Sequence, residues 1–479
     1  MTTAVGAAVP QQPDVDGAPV PGEHAPRRPA GWPGRLRDAL FPEAPTTPVT
    51  PRRIAVAAAF VGFGVVYSLG RVRGPGAGAL DTVWAEDGAN FLHDAANMTP
   101  YDAFTTPLNG YYHFFPRFLA EITTLLPVSA WAACNATLAA LTTAGLALIV
   151  YAASGAHLRH PVLRLLVAVP VVAQWAANGE IVDNVATLQF PALYTLFWVL
   201  LAVQARRVGK LAAPVFALVV ALSTTLTITL LPLALVRAGL RRDRAGILMA
   251  AAMALGVGVQ LYTYLSGEAE REIVGMVPNY DPLWNLKQFA ELQVPVTYLG
   301  ESWIRVQIVH TSEHRALVLL AWAILLTAVG LAVWRRTRPA WLLAGVAAVH
   351  AVGLFALQIA MRGGVPGRYL LPSLLLLVAG TVALLRPRSW TGGTSWWGPE
   401  GFGTVPIVAL ATLLTVVAIA NYRHDHIWRT TSVPSWSKQV TANAALCRAD
   451  PDLKAVVFRS GPASKRMWGS FAVPCSRLR

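Results

Sequence analysis

The chain has 479 residues, of which 54% are hydrophobic and only 13% charged, with a formal net charge of +14. That composition excludes an ordinary soluble domain and places the chain among helical multi-pass membrane proteins. Apolar runs of helix length without alternating ten-residue segments exclude an outer-membrane barrel, and the basic residues are too dispersed to suggest a nucleic-acid partner.

In chain order, residues 1–50 carry Pro, Gly and scattered charge with no sustained apolar period, and are expected to be a disordered cytoplasmic tail without a cleavable signal. Arg52 and Arg53 precede the first apolar stretch, Ile54 to about Leu69. Further spans are expected at 128–153, 161–177, 186–204, 211–222, 226–238, 245–265, 315–334, 340–361, 368–385 and 404–421, about eleven in all. The pair 211–222 and 226–238 is short and could instead form a half-crossing hairpin around Ser223-Thr224-Thr225.

The connections alternate in charge. Arg159 and Arg164, Arg206 to Lys210, Arg237 to Arg244, Arg335 to Arg338, and Arg386 with Arg388 fall on one side, which the positive-inside rule makes cytoplasmic. Loops 71–127, 178–184, 266–314 and 362–367, and the tail after Asn421, take the other side. The expected fold is therefore an all-α polytopic plasma-membrane protein with its amino terminus inside and carboxyl terminus outside. A multi-pass domain, 51–421, carries a small extracytoplasmic α/β cap, 422–479, with a helix up to Cys447 and a strand at Ala455–Phe458.

Polar residues concentrate in the outer segments. Glu86 and Asp87 lie beside Asp81, Trp84, Asn90, His93 and Asp94, where a carboxylate could act as a general base or merely favour a helix N-terminus. Tyr112 and His113, in Gly110–Arg117, and Glu180 and Asn184, in the turn 178–184, are candidate substrate-lining residues; the turn could equally be solvated. Phe115–Leu126 reads as a short amphipathic helix in which Arg117 and Glu121, four apart, can pair. Arg362 and Arg368-Tyr369 bracket a Gly-rich turn where paired guanidinium groups could hold a phosphate, or simply anchor the interface.

Cys447 and Cys475 are expected to be disulfide-bonded, because both lie in the exported tail, whereas Cys134 reads as a core residue. His310, Glu313 and His314 have helical ligand spacing without an identifiable third partner, so no metal site is assigned to them.

Trp84-Ala-Glu-Asp-Gly88 after the first span, followed by a loop helix near Pro116, resembles the GT-C superfamily of integral-membrane glycosyltransferases. The resemblance implies a polyprenyl-phosphate-linked sugar donor and, in this orientation, a cell-envelope glycan or glycolipid acceptor. Asp87 or Glu86 would be the base of an inverting transfer, with Arg117, Arg362 or Arg368 stabilising the leaving phosphate next to Tyr369. A divalent cation, magnesium or manganese, could assist, though no residue demands one. Two other classes stay open. A transporter or lipid flippase would use sites near the bilayer midplane, and the Ser223–Thr225 break is the feature that favours it. A noncatalytic envelope-assembly protein would keep the fold without needing the carboxylates.

Overall fold

Helices follow from long apolar runs because a backbone in hydrocarbon must satisfy its own hydrogen bonds. The computed structural model describes residues 31–44, 48–73, 77–176, 178–266, 278–304, 312–365, 367–388, 390, 402–422, 429, 433–461 and 469–479. Six helices are long and apolar enough to cross a membrane: Pro51–Arg71, Val128–Ala156, Arg244–Ser266, Glu313–Val333, Trp341–Met361 and Gly367–Leu384. Their outer faces leave large apolar side chains uncovered, among them Phe63 at 70% and Leu319 at 70% exposure. In water such faces would be unstable, so they belong against lipid and mark an integral membrane protein.

Of the roughly eleven expected spans, six correspond to helices of crossing length by this measure. Besides the six, Pro161–Ala173, Val185–Leu201 and Val405–Ala420 are shorter apolar helices, and the 211–238 pair becomes helices Arg207–Ala221 and Leu231–Arg241 joined by a 3-10 turn, Thr225–Thr229. The break has a local cause. The Ser223 hydroxyl donates back to the Val219 carbonyl at 2.6 Å, while Thr224 caps the next turn by accepting from the Leu226 N–H.

A correction concerns the amino-terminal segment. Residues 1–30 lie outside the described residues, but Trp32–Leu40 is a helix rather than disordered chain. At nine residues it is too short to be stable alone and is held by docking. Leu40 and Phe41 are buried in the bundle, Arg241 donates to the Phe41 carbonyl, and Ala44 N–H donates to the Val203 carbonyl.

The bundle has two chemically different ends. Arginine-bearing connections meet at one: Arg338 N–H donates to the Arg386 carbonyl at 2.8 Å, and Thr337 to the Leu384 carbonyl. At the other end lie the segment 77–127, the turn 178–187 and the Arg368 turn. There the backbone of Phe115 donates to Ser223 and that of Tyr112 to Gln260, so the loop rests on the break between the two short helices and on the span Arg244–Ser266. The Ser223–Thr225 break is thereby occupied as a seat for this loop.

The carboxyl-terminal segment forms a cap on the same acidic end. Helix Trp436–Ala449 and strand Ala455–Phe458 occur where the sequence pattern puts them, and the strand pairs antiparallel with Phe471–Pro474. Trp436, Phe458 and Phe471 share one apolar cluster with Phe91, Leu119 and Trp131 of the loop and the second span. Cys447 and Cys475 are bonded at the centre of this cluster. The closed loop separates residues 28 apart in sequence, and its loss is expected to destabilise the cap by about 3 kcal/mol. A lower melting temperature of the detergent-purified protein in reductant checks this; an unchanged one counts against it.

Candidate functional site

The segment entering the site is shaped by its fit to the cap. Ala85 takes a left-handed backbone, φ +50°, at a cost of about 1 kcal/mol for a residue with a Cβ. Its N–H donates to the Ser460 carbonyl at 2.6 Å, which helps hold that conformation. Gly88 is required by the same contact: a Cβ there would lie 2.5 Å from the Ser460 Cβ and 2.7 Å from the Phe471 ring. Asp81 accepts from the Ser435 hydroxyl and the Ser437 N–H, fixing the start of the cap helix. The motif Trp84–Gly88 is therefore sandwiched between the bundle and the cap.

The two adjacent acids have unlike surroundings. Asp87 is 1% exposed and accepts three hydrogen bonds, from Asn135 Nδ2 at 2.7 Å and from the Val185 and Ala186 N–H groups at 3.0 and 2.9 Å. It thus caps the 3-10 turn Val185–Thr187 and ties the first loop to two other elements. Burial raises its carboxyl from 3.8 to about 7, against the pull of those hydrogen bonds and of Arg429. Glu86 is half-buried and makes no hydrogen bond or ion pair among the described residues, yet it lies within electrostatic reach of Arg368.

Arg368 sits at the start of a span, in the 3-10 turn Gly367–Tyr369. Its Nη1 meets Glu180 Oε2 at 2.8 Å, with the two side chains 17% and 33% exposed. Tyr369 is buried beside it and packs edge-on against Phe190. The structure therefore brings Glu86, Glu180, Arg368 and Tyr369 to one place. The side chain of Arg362 lies outside the described residues, as does His310.

Other expected site residues are taken up by packing. Arg117 pairs with Asp94 at 2.7 Å rather than with Glu121, because the loop folds back and supplies a buried partner. Only 2% of its side chain is exposed, and removing either member would strand a buried charge at a cost of about 3–5 kcal/mol. His113 is wedged between Tyr111 and Phe91, and burial followed by the nearby Arg117 pushes its imidazole from 6.5 down to about 3. It is neutral at any physiological pH. Tyr112 is pinned through its backbone, which exchanges two hydrogen bonds with the Gln260 amide. Asn184, 2% exposed, accepts from the Ala186 N–H and donates to the Glu180 carbonyl.

Several residues of this junction escape a reading by motif. Asp183 accepts from Ser68, and burial raises its carboxyl to about 6. Arg429 donates to the Val182 carbonyl, and Arg71 to those of Ala173, Gln174 and Tyr422. Asn135 and Gln260 are polar residues inside apolar spans, and that isolation is the signal that could have marked them. Among the described residues, no group of three or more His, Cys, Asp or Glu side chains is placed to hold a metal ion.

No family model and no curated protein matches this chain. Among solved structures it is similar to ArnT from Cupriavidus metallidurans in the apo state, at 17% identity and a TM-score of 0.38, over 83% of this chain and 73% of that one. At that distance the likeness assigns neither fold family nor activity.

Proposed function

We propose that the protein is a GT-C-type membrane glycosyltransferase that moves a sugar from a polyprenyl-phosphate donor to a cell-envelope glycan or glycolipid at the extracytoplasmic membrane face. The observation that carries the reading is Glu86, a carboxylate with no hydrogen bond or ion pair among the described residues, within electrostatic reach of the Arg368 guanidinium where the loop lies between bundle and cap. Glu86 takes the proton of the acceptor hydroxyl as its oxygen attacks the anomeric carbon. The sugar–phosphate bond breaks on the opposite face, and Arg368 stabilises the charge arriving on the leaving phosphate. One displacement of this kind inverts configuration.

The arginine-bearing end is assigned to the cytoplasm by the positive-inside rule, which puts Glu86 outside, away from cytosolic nucleotide sugars. A donor carried across the membrane on lipid meets that requirement. In this reading Arg368 meets the leaving charge, and a divalent cation, magnesium or manganese, would assist it rather than replace it. For the transporter alternative, the break that favoured it is already used to seat the first loop.

The test is reconstitution with polyprenyl-phosphate sugars, scoring release of polyprenyl phosphate and formation of a glycosylated acceptor. The expected result is transfer dependent on Glu86, with an introduced cysteine near residue 290 labelled from outside and one near Arg336 protected. Movement of a lipid or solute without sugar transfer would install the transporter reading. Neither activity, in a protein needed for envelope assembly, would install the noncatalytic one.

A further inference from the structure

At the end opposite the acidic loop, a cavity of about 490 Å³ opens among Asp38, His157, Arg159, Arg338, Trp341 and Arg386. The three arginines come from three separate connections. Two are locked together, because Arg338 N–H donates to the Arg386 carbonyl at 2.8 Å. Among the described residues none of the three forms an ion pair, and Asp38, the carboxylate on the wall, is held by Arg37 at 2.8 Å. A second cavity, about 540 Å³, shares Arg338 and Trp341 and adds Arg335 and Arg388 to the rim.

Topogenic arginines need only be on the correct side of the bilayer, and their mutual repulsion favours dispersal. Here the fold gathers them. Arg386 is half-buried while Arg159 and Arg338 are exposed beside it, and burial together with those two charges lowers the proton affinity of Arg386, a local cost on that one guanidinium. An anion removes that cost, and guanidinium forks match phosphate oxygens bidentately. Depth narrows the choice further. Trp341 is the first residue of the span Trp341–Met361, which sets the cavity mouth where hydrocarbon gives way to headgroups.

We propose that this cavity is a binding site for a phosphate-bearing anion at headgroup level, with Arg338 and Arg386 as its forks and Arg159 completing the cluster. An anionic phospholipid and free inorganic phosphate present the same chemistry there. The site is remote from Glu86 and does not depend on the transferase reading.

The experiment uses the full chain in nanodiscs of phosphatidylcholine with and without phosphatidylglycerol, followed by native mass spectrometry of lipid retained on release. Arg338→Lys with Arg386→Lys keeps the topogenic charge and removes both forks, and is expected to weaken retention of phosphatidylglycerol about tenfold. Arg244→Lys, at the same end but off the cavity, is the control and should change nothing. Retention that persists in inorganic phosphate identifies the lipid as occupant, while displacement, with phosphate-dependent thermal stabilisation of the wild type alone, identifies free phosphate. Equal retention by wild type and the double-lysine variant, or no response to either probe, overturns the site.

Discussion

Glu86→Gln is expected to lower kcat by at least about a hundredfold while leaving the melting temperature and elution profile unchanged. The amide keeps the size of the side chain and its place beside Arg368 but cannot take the acceptor proton. Folding should not suffer, because Glu86 has no hydrogen bond among the described residues to lose. The measurement is transfer from a polyprenyl-phosphate sugar by purified variant and wild type. Full activity in Glu86→Gln would remove this carboxylate from the chemistry.

Asp87→Asn is the companion that separates the two acids. An amide at 87 must turn a donor toward at least one of the three groups that now donate to the carboxylate, which costs about 1–3 kcal/mol. The penalty carries a pH signature. Burial raises the folded carboxyl to about 7 from 3.8, so between those values the folded chain holds a proton that the unfolded chain has released. Stability contributed by Asp87 is thus greatest below about pH 4 and is lost as pH rises through about 7. Thermal unfolding should show the destabilisation by Asp87→Asn largest at the acidic end, shrinking between about pH 4 and 7 and level above that. A folded but inactive Asp87→Asn beside an active Glu86→Gln would move the base to Asp87.

How far such features can be read without coordinates depends on the range of the interaction. Separation of the arginine connections from the acidic loops is legible, because each connection states its own charge. The cap helix and first strand are legible for the same local reason. Division of labour between Glu86 and Asp87 is not, since the partners of Asp87 lie at 135, 185 and 186 on other elements. The Arg117–Glu121 spacing is a sound local rule that loses to a buried partner 23 residues back, Asp94. The 211–238 pair, expected to be short and broken, is the two helices Arg207–Ala221 and Leu231–Arg241 around a 3-10 turn, a break that Ser223 and Thr224 signal locally. Trp32–Leu40, only nine residues long with Pro33 and Gly34 in its first turn, is too short to stand alone and owes its order to the bundle that receives Leu40 and Phe41.

Arg368→Ala is expected to reduce kcat/KM for the lipid-linked donor by about a hundredfold, the size of effect seen when a group aimed at developing negative charge is removed. Arg368→Lys should recover part of the loss, since an ammonium supplies charge without the planar fork. Stability is a separate matter: the partner left behind, Glu180, is 33% exposed and can be hydrated, so unfolding should shift by no more than about 1 kcal/mol. Glu180→Gln decides between phosphate binding and simple bracing. If the 2.8 Å pair serves only to hold the turn at 178–184, removing charge from either partner should impair transfer alike. If Arg368 receives the phosphate, Glu180→Gln releases the guanidinium from a competing anion and transfer should be kept or improved while Arg368→Ala loses it. Equal losses in the two variants would leave Arg368 with a bracing role and require the leaving phosphate to be stabilised elsewhere, with Arg362 across the same turn the next residue to replace.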